Sequence, residues 1–397
     1  MAGIFQSKRS LFILLFAWLA CAAGAHAIPH IPADGKQVVE RLPSRASPVQ
    51  RELLRLRADL GKNPNDLALA AALARRYIEQ ARIEGDPRYL GYAEAALKPW
   101  WTQAAPPDDA LVLRATLRQS THQFPLALQD LDIVVKRNSD NVQAWLTRAT
   151  VQLVTGDYAG AKSSCMRLVS RAPKLVVDTC LANIASVNGA ARTSYAGLKA
   201  SLAAARDADP AIKSWVETLL AEMAERAGLD AEAEAYYRKA LQEEQPDSYL
   251  LGAWSDFLLD RGRAAEVAAL LKDHTRVDAL LLRYALALKA LKSPDAAAQT
   301  AALASRFDAA MMRGDTVHQR EQARFELALR GNPAAAVKLA MLNWAVQKEP
   351  ADLRILVESA AASGDPVAGA MAKKWIASTH IEERAITPLL ASLKGQP

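Results

Sequence analysis

From about residue 64 onward, apolar residues recur at spacings of three and four, which predicts a succession of short amphipathic helices. The pattern also repeats. ALVLRATLRQSTHQFPLALQDLDIVVKRNSD (110–140) aligns with AWLTRATVQLVTGDYAGAKSSCMRLVSRAP (144–173) at a separation of thirty-four residues. In that register Arg114 meets Arg148, Ala115 meets Ala149, Phe124 meets Tyr158 and Ala127 meets Ala161. Leu131 meets Cys165, and Val134 meets Leu168. A second pair of segments, 217–242 and 250–274, places Gly228 and Gly262 at the same separation, each between two helical patterns.

Each unit therefore reads as two helices joined by a Gly or by a polar break such as Thr121-His122-Gln123. Ala115, Ala127, Ala149 and Ala161 let helix backbones approach closely, and Phe124 or Tyr158 fills the space around the contact. One such hairpin has too little apolar surface to stand alone. Stacked on its neighbours it buries a continuous core.

The unit resembles the tetratricopeptide repeat at Trp145, Ala149, Gly156, Tyr158, Ala161, Cys165, Leu168 and Pro173. The preceding unit departs from that pattern with Leu111, His122 and Ser139 in place of Trp, Gly and Pro. Weaker units are expected at 64–101, 176–210, 278–312, 319–350 and 353–387. The whole chain is also similar to a group of periplasmic repeat proteins of Gram-negative bacteria to which no activity attaches. The resemblance implies an all-α, right-handed superhelical solenoid of antiparallel helix pairs, a long curved rod whose first helices line a concave groove. The array is expected over 51–312, with a C-terminal sub-array over 313–397 and an irregular junction at 305–320.

The ends add a location. Lys8 and Arg9, an apolar run from Leu11 to about Ala23, and Ala25-His26-Ala27 form the layout of a secretory signal peptide, residues 1–27, cleaved after Ala27. An uncleaved anchor and a lipid attachment at Cys21 are the alternatives. Residues 28–50 carry four prolines and read as an extended segment. No later stretch is apolar enough to span a bilayer, so the mature chain is expected in the periplasm or secreted. Lys and Arg number 49 against 43 Asp and Glu, a net charge of +6 that falls to +4 without Lys8 and Arg9. Nothing clusters the cations on one face, which argues against a nucleic-acid partner.

Two cysteines lie beyond the leader. Cys165 falls in the second helix of one unit and Cys180 in the first helix of the next, neighbours in a solenoid. A structural disulfide, two packed thiols and a redox pair all remain open there.

Catalytic signatures are missing: there is no GxSxG, SxxK or HExxH, and GDPVAGAMAKK (364–374) has Ala370 where a phosphate loop needs Lys. No enzyme activity, cofactor or metal is therefore expected. Two sets of residues are candidates for partner binding. One is the aromatic stretch GDPRYLGYAEAALKPWW, with Tyr89, Tyr92, Trp100 and Trp101, which reads first as the packing of an end repeat. The other is carried over from the groove positions of the family: Trp215, Glu222, Arg226, Tyr249 and Asp256. The Lys/Asn cluster that grips a C-terminal carboxylate in some members is replaced here by Val112, Thr116, Leu146 and Thr150, so a carboxylate clamp is not expected. The function expected is an interaction scaffold of the bacterial envelope, with an envelope or membrane protein as partner. A small-molecule or metal-ion binder, or an accessory domain of an envelope enzyme, is the alternative.

Overall fold

The computed structural model describes residues 34, 36, 47–242 and 246–393. The expected leader and most of the Pro-rich segment lie outside them. The chain divides into two compact units, Met1–Glu52 and Leu53–Pro397. Of the first unit, the described part is mainly the start of helix α1 (Pro48–Lys62), so the helical array begins inside the stretch expected to be extended. At that start the Ser47 hydroxyl accepts from the Gln50 amide.

The second unit is an all-α solenoid, with no strand among its described residues. Its first pair is α2 (Leu67–Glu84) with α3 (Arg88–Ala96), followed by the short α4 (Lys98–Trp101). The two well-patterned units are α5 (Asp108–Ser120) with α6 (Phe124–Arg137), and α7 (Val142–Thr155) with α8 (Tyr158–Met166). Then come α9 (Lys174–Ser186) with α10 (Ala191–Ala204), α11 (Pro210–Arg226) with α12 (Asp230–Ala240), and α13 (Ser248–Asp260) with α14 (Ala264–Leu271). The last pairs are α15 (Asp278–Ala290) with α16 (Ala296–Met312), α17 (Gln319–Ala328) with α18 (Pro333–Val346), and α19 (Pro350–Ser363) with α20 (Pro366–Thr379). A 3-10 turn at Thr387–Leu389 and α21 (Leu390–Leu393) follow.

Local chemistry sets the boundaries. Asp66, Asn141, Asp157, Asp209, Asp247, Asn332 and Asp365 each cap a helix by accepting from a first-turn amide. The junction expected at 305–320 is narrower than its sequence suggested. Helix α16 runs unbroken to Met312, and α17 starts at Gln319.

The small residues do what their spacing implies. Ala115, Ala127, Ala149 and Ala161 are buried, with Phe124 and Leu131 beside them in one core cluster and Cys165 and Leu168 in the next. Cys165 and Cys180 are joined in a disulfide, Cα to Cα 5.8 Å, linking α8 to α9 and hence one repeat to its successor.

The array also makes contacts that its repeat period does not register. Residues far apart in sequence meet across the array. Arg82 pairs with Asp247 at 2.9 Å, and the Ser248 hydroxyl donates to the Arg82 carbonyl. The Lys348 amide donates to the Val154 carbonyl at 2.7 Å, and the Trp375 ring meets Tyr158 edge-on at 5.8 Å. At Gly156, whose φ is +84°, an added Cβ would stand 2.5 Å from the Trp375 ring, so only glycine admits this approach. Further along, the Ala191 amide donates to Glu382, Arg354 pairs with Asp260, and Arg384 pairs with Asp230. The C-terminal pairs thus lie against the middle repeats and cover much of the wall that an open solenoid would expose. Coil-to-coil contacts of this kind are invisible to a thirty-four-residue period, which registers only a helix and its sequence neighbours.

Candidate functional site

Two concave spaces remain. The larger, about 620 Å³, is lined by α11, α12, α13, α15, α17, α19 and the segment after α20. The smaller, about 480 Å³, is a groove along the first helices of the three N-terminal pairs, α2, α5 and α7.

Charges dominate the larger cavity. Among the described residues its lining holds nine carboxylates and seven guanidinium groups, and no lysine. Each helix contributes them one turn apart: Glu222, Glu225 and Arg226 from α11, Arg320, Glu321 and Arg324 from α17, Arg354 and Glu358 from α19. Asp256 sits between Arg283 at 2.5 Å and Arg324 at 2.6 Å. Burial raises its carboxyl, but the two guanidiniums outweigh that and hold it well below the usual carboxylate range. Arg320 reaches Glu321 and Glu349, both at 3.1 Å, and Arg354 binds Asp260 and Glu358. At the mouth, Arg261 and Arg384 share Asp230.

Other acids are under-compensated. Burial pushes the Glu225 carboxyl up to about 7, although Arg261 and a hydrogen bond from the Tyr237 hydroxyl oppose it. Burial, with Asp352 close by, pushes Glu349 up to about 7 as well. Glu222 and Glu383 are also raised by burial, against the pull of Arg226. Glu222 accepts a hydrogen bond from the Tyr249 hydroxyl at 2.5 Å. Tyr249 is 56% exposed, yet burial and Glu222 raise its hydroxyl well above the usual range. Both facts hold because its surface faces the cavity, deep among the helices.

Arg226 stands apart from the other cavity arginines. It is only 8% exposed, its Nη2 donates to the Ser186 hydroxyl at 3.0 Å, and its Nε has no partner.

The structure thus brings Glu222, Arg226, Tyr249 and Asp256 to one cavity wall. Trp215 is absent from that lining and packs, partly buried, on the large core cluster of α9 to α15. The aromatic stretch lies elsewhere. Tyr77, Tyr89 and Tyr92 form a cluster with ring centroids 5.5 to 6.0 Å apart. Tyr89 and Trp100 are buried, Tyr92 is half exposed, and the Arg114 guanidinium lies 5.8 Å over the Trp101 ring. Asp86 accepts from the Arg88 amide at the start of α3, which anchors this end of the array.

Sequence reasoning passed over Arg283, Arg320, Arg324, Arg354 and Glu349. Each reads alone as a solvated charge on a helix face. The usable signal was opposite charges one turn apart on α11, α17 and α19.

The smaller groove has an apolar floor of Ile78, Val112 and Leu113 between Arg75, Glu79, Arg82 and Asp109, with Thr116, Asn141 and Gln143 at its side. No lysine lines this groove. Among the described residues no three His, Cys, Asp or Glu are grouped to hold a metal ion, and no helix is long and apolar enough to cross a membrane.

No family model and no curated protein matches the chain. Solved structures of repeat proteins are similar to it. A tetratricopeptide repeat protein from Parabacteroides merdae is 17% identical and covers 60% of this chain and 92% of its own, at a TM-score of 0.43. An IFIT1 monomeric mutant with Gppp-AAAA is 16% identical over 86% of this chain and 85% of its own, at 0.44. The APC/C hetero-tetramer Cut9–Hcn1 is 14% identical over 84% and 60%, at 0.45.

Proposed function

We propose that this tetratricopeptide-type repeat protein is an interaction scaffold that docks an extended segment of a partner protein in the groove of α2, α5 and α7. The carrying observation is the groove itself. It is a stretch of first-helix wall with an apolar floor and charges of both signs along its rims. Such a surface suits a segment with apolar side chains flanked by one acidic and one basic residue. The disulfide agrees with an oxidising compartment, and with the basic start and apolar run of the leader it supports work in the bacterial envelope. Tyr92, half exposed on the same end of the array, is the residue of the aromatic stretch best placed to extend the contact.

The test is site-specific crosslinking in cells. A photoreactive residue at Thr116 or Gln143 should give the same discrete protein adduct, and one at Met312, 89% exposed elsewhere, should not. Val112→Glu, which puts a charge on the floor, should abolish the adduct. Equal labelling from all three positions, or no adduct from the groove, sinks the proposal.

A further inference from the structure

The central cavity is a second site, independent of the N-terminal groove. The geometry points to a small zwitterion with surplus positive charge as its ligand: a basic amino acid or a short basic peptide, its carboxylate on Arg226 and its ammonium groups on Glu222 and Glu383.

Three observations carry this. The first is pairing. Every other arginine of the lining has a carboxylate within 4.0 Å, whereas Arg226 has none among the described residues and its Nε is unpartnered. A guanidinium held away from bulk water without an ion-pair partner favours an anionic ligand group. Its Nε is sealed from the cavity, so the carboxylate meets the part of the guanidinium that lines the wall.

The second is position. Glu222 is one helical turn before Arg226 on α11, and Glu383 faces both from the segment after α20. Neither carboxylate is within ion-pair distance of any cation among the described residues, although both feel Arg226 electrostatically. The three unpaired charges therefore surround one part of the cavity without touching, and a ligand with an acid end and an amine end closes both gaps.

The third is balance. Of the lining charges without an ion-pair partner among the described residues, two are carboxylates, Glu222 and Glu383, and one is the Arg226 guanidinium, which disfavours a phosphate or a dicarboxylate and favours a ligand with one more amine than acid. A volume of about 620 Å³ takes a free amino acid with water or a peptide of a few residues. Tyr249, held by its bond to Glu222, offers a ring face to the aliphatic part.

Isothermal titration of the whole protein tests the assignment with four probes: L-lysine, lysyl-lysine, spermidine and succinate. Saturable binding of L-lysine or lysyl-lysine is expected, and whichever is tighter tells a free amino acid from a peptide. Spermidine lacks the acid and succinate lacks the amine, so both should bind at least about tenfold more weakly, the worth of one charged hydrogen bond. Arg226→Gln should weaken the zwitterion by about the same factor. If that variant misfolds, Glu383→Gln, on a segment outside the helices, carries the same test from the amine end. No saturable heat with either zwitterion, equal binding of spermidine or succinate, or an unchanged constant in a folded variant would overturn the assignment.

Discussion

The two concave spaces are made of the same part, the first helices of successive pairs, yet they differ in everything that matters for a ligand. The N-terminal groove is lined by three successive pairs, has an apolar floor and carries few charges. The central cavity is lined in addition by chain returning from the C-terminus, and its charges are mostly paired across elements distant in sequence. One superhelical wall therefore serves two chemistries, and what separates them is whether later repeats fold back over it. A carboxylate on an open first helix keeps its water. The same residue under α17 and α19 must find a guanidinium or take up a proton.

The largest effect expected from breaking this contrast comes at Asp256. Asp256→Asn leaves Arg283 and Arg324 side by side without their shared anion. Loss of one member of a buried ion-pair set costs about 3–5 kcal/mol. Melting temperature in a far-UV thermal scan should fall sharply. A fall no larger than that of a surface substitution would mean that the cavity is wetter than its geometry implies.

An intermediate effect is expected from pH. Glu225 binds its proton more tightly in the folded state, up to about 7, than in an unfolded chain, where a glutamate titrates near ~4.3. The folded state therefore holds more protons between those values, and this group's contribution to stability falls as pH rises through the window. Asp256, held low, acts in the opposite sense and loses its contribution only in stronger acid. Glu225→Gln should thus flatten the decline in melting temperature between pH 5 and pH 7.5. An unchanged slope would assign the decline to other groups.

The smallest effect belongs to Arg82, which touches both regions. It lines the N-terminal groove and reaches Asp247 beside the cavity repeats, but its side chain is 65% exposed. Arg82→Ala should cost at most about 1 kcal/mol. A larger loss would show that the two regions are coupled through this contact.

Much of the repeat architecture was legible along the chain. The register of 110–140 on 144–173 placed the inward alanines, and Cys165 and Cys180 fell on helices that a solenoid makes neighbours. Glu222, Arg226, Tyr249 and Asp256 were legible as residues of the inner wall, because position within a unit determines facing. Their partners were not. Arg324, sixty-eight residues from Asp256, and Arg354, ninety-four from Asp260, carry no mark of that pairing.

The sequence by itself determined the unit: helix periodicity, caps, the small residues at close contacts and the separation at which they recur, all set by interactions within some forty residues. Only the tertiary structure decided that the array closes on itself. That outcome depends on the angle added at each junction, accumulated over several repeats, and on approaches such as Trp375 over Gly156 that few residues specify. Small angles summed over many units turn one wall into a groove between neighbouring pairs at one end and a charged cavity shared with returning chain at the other.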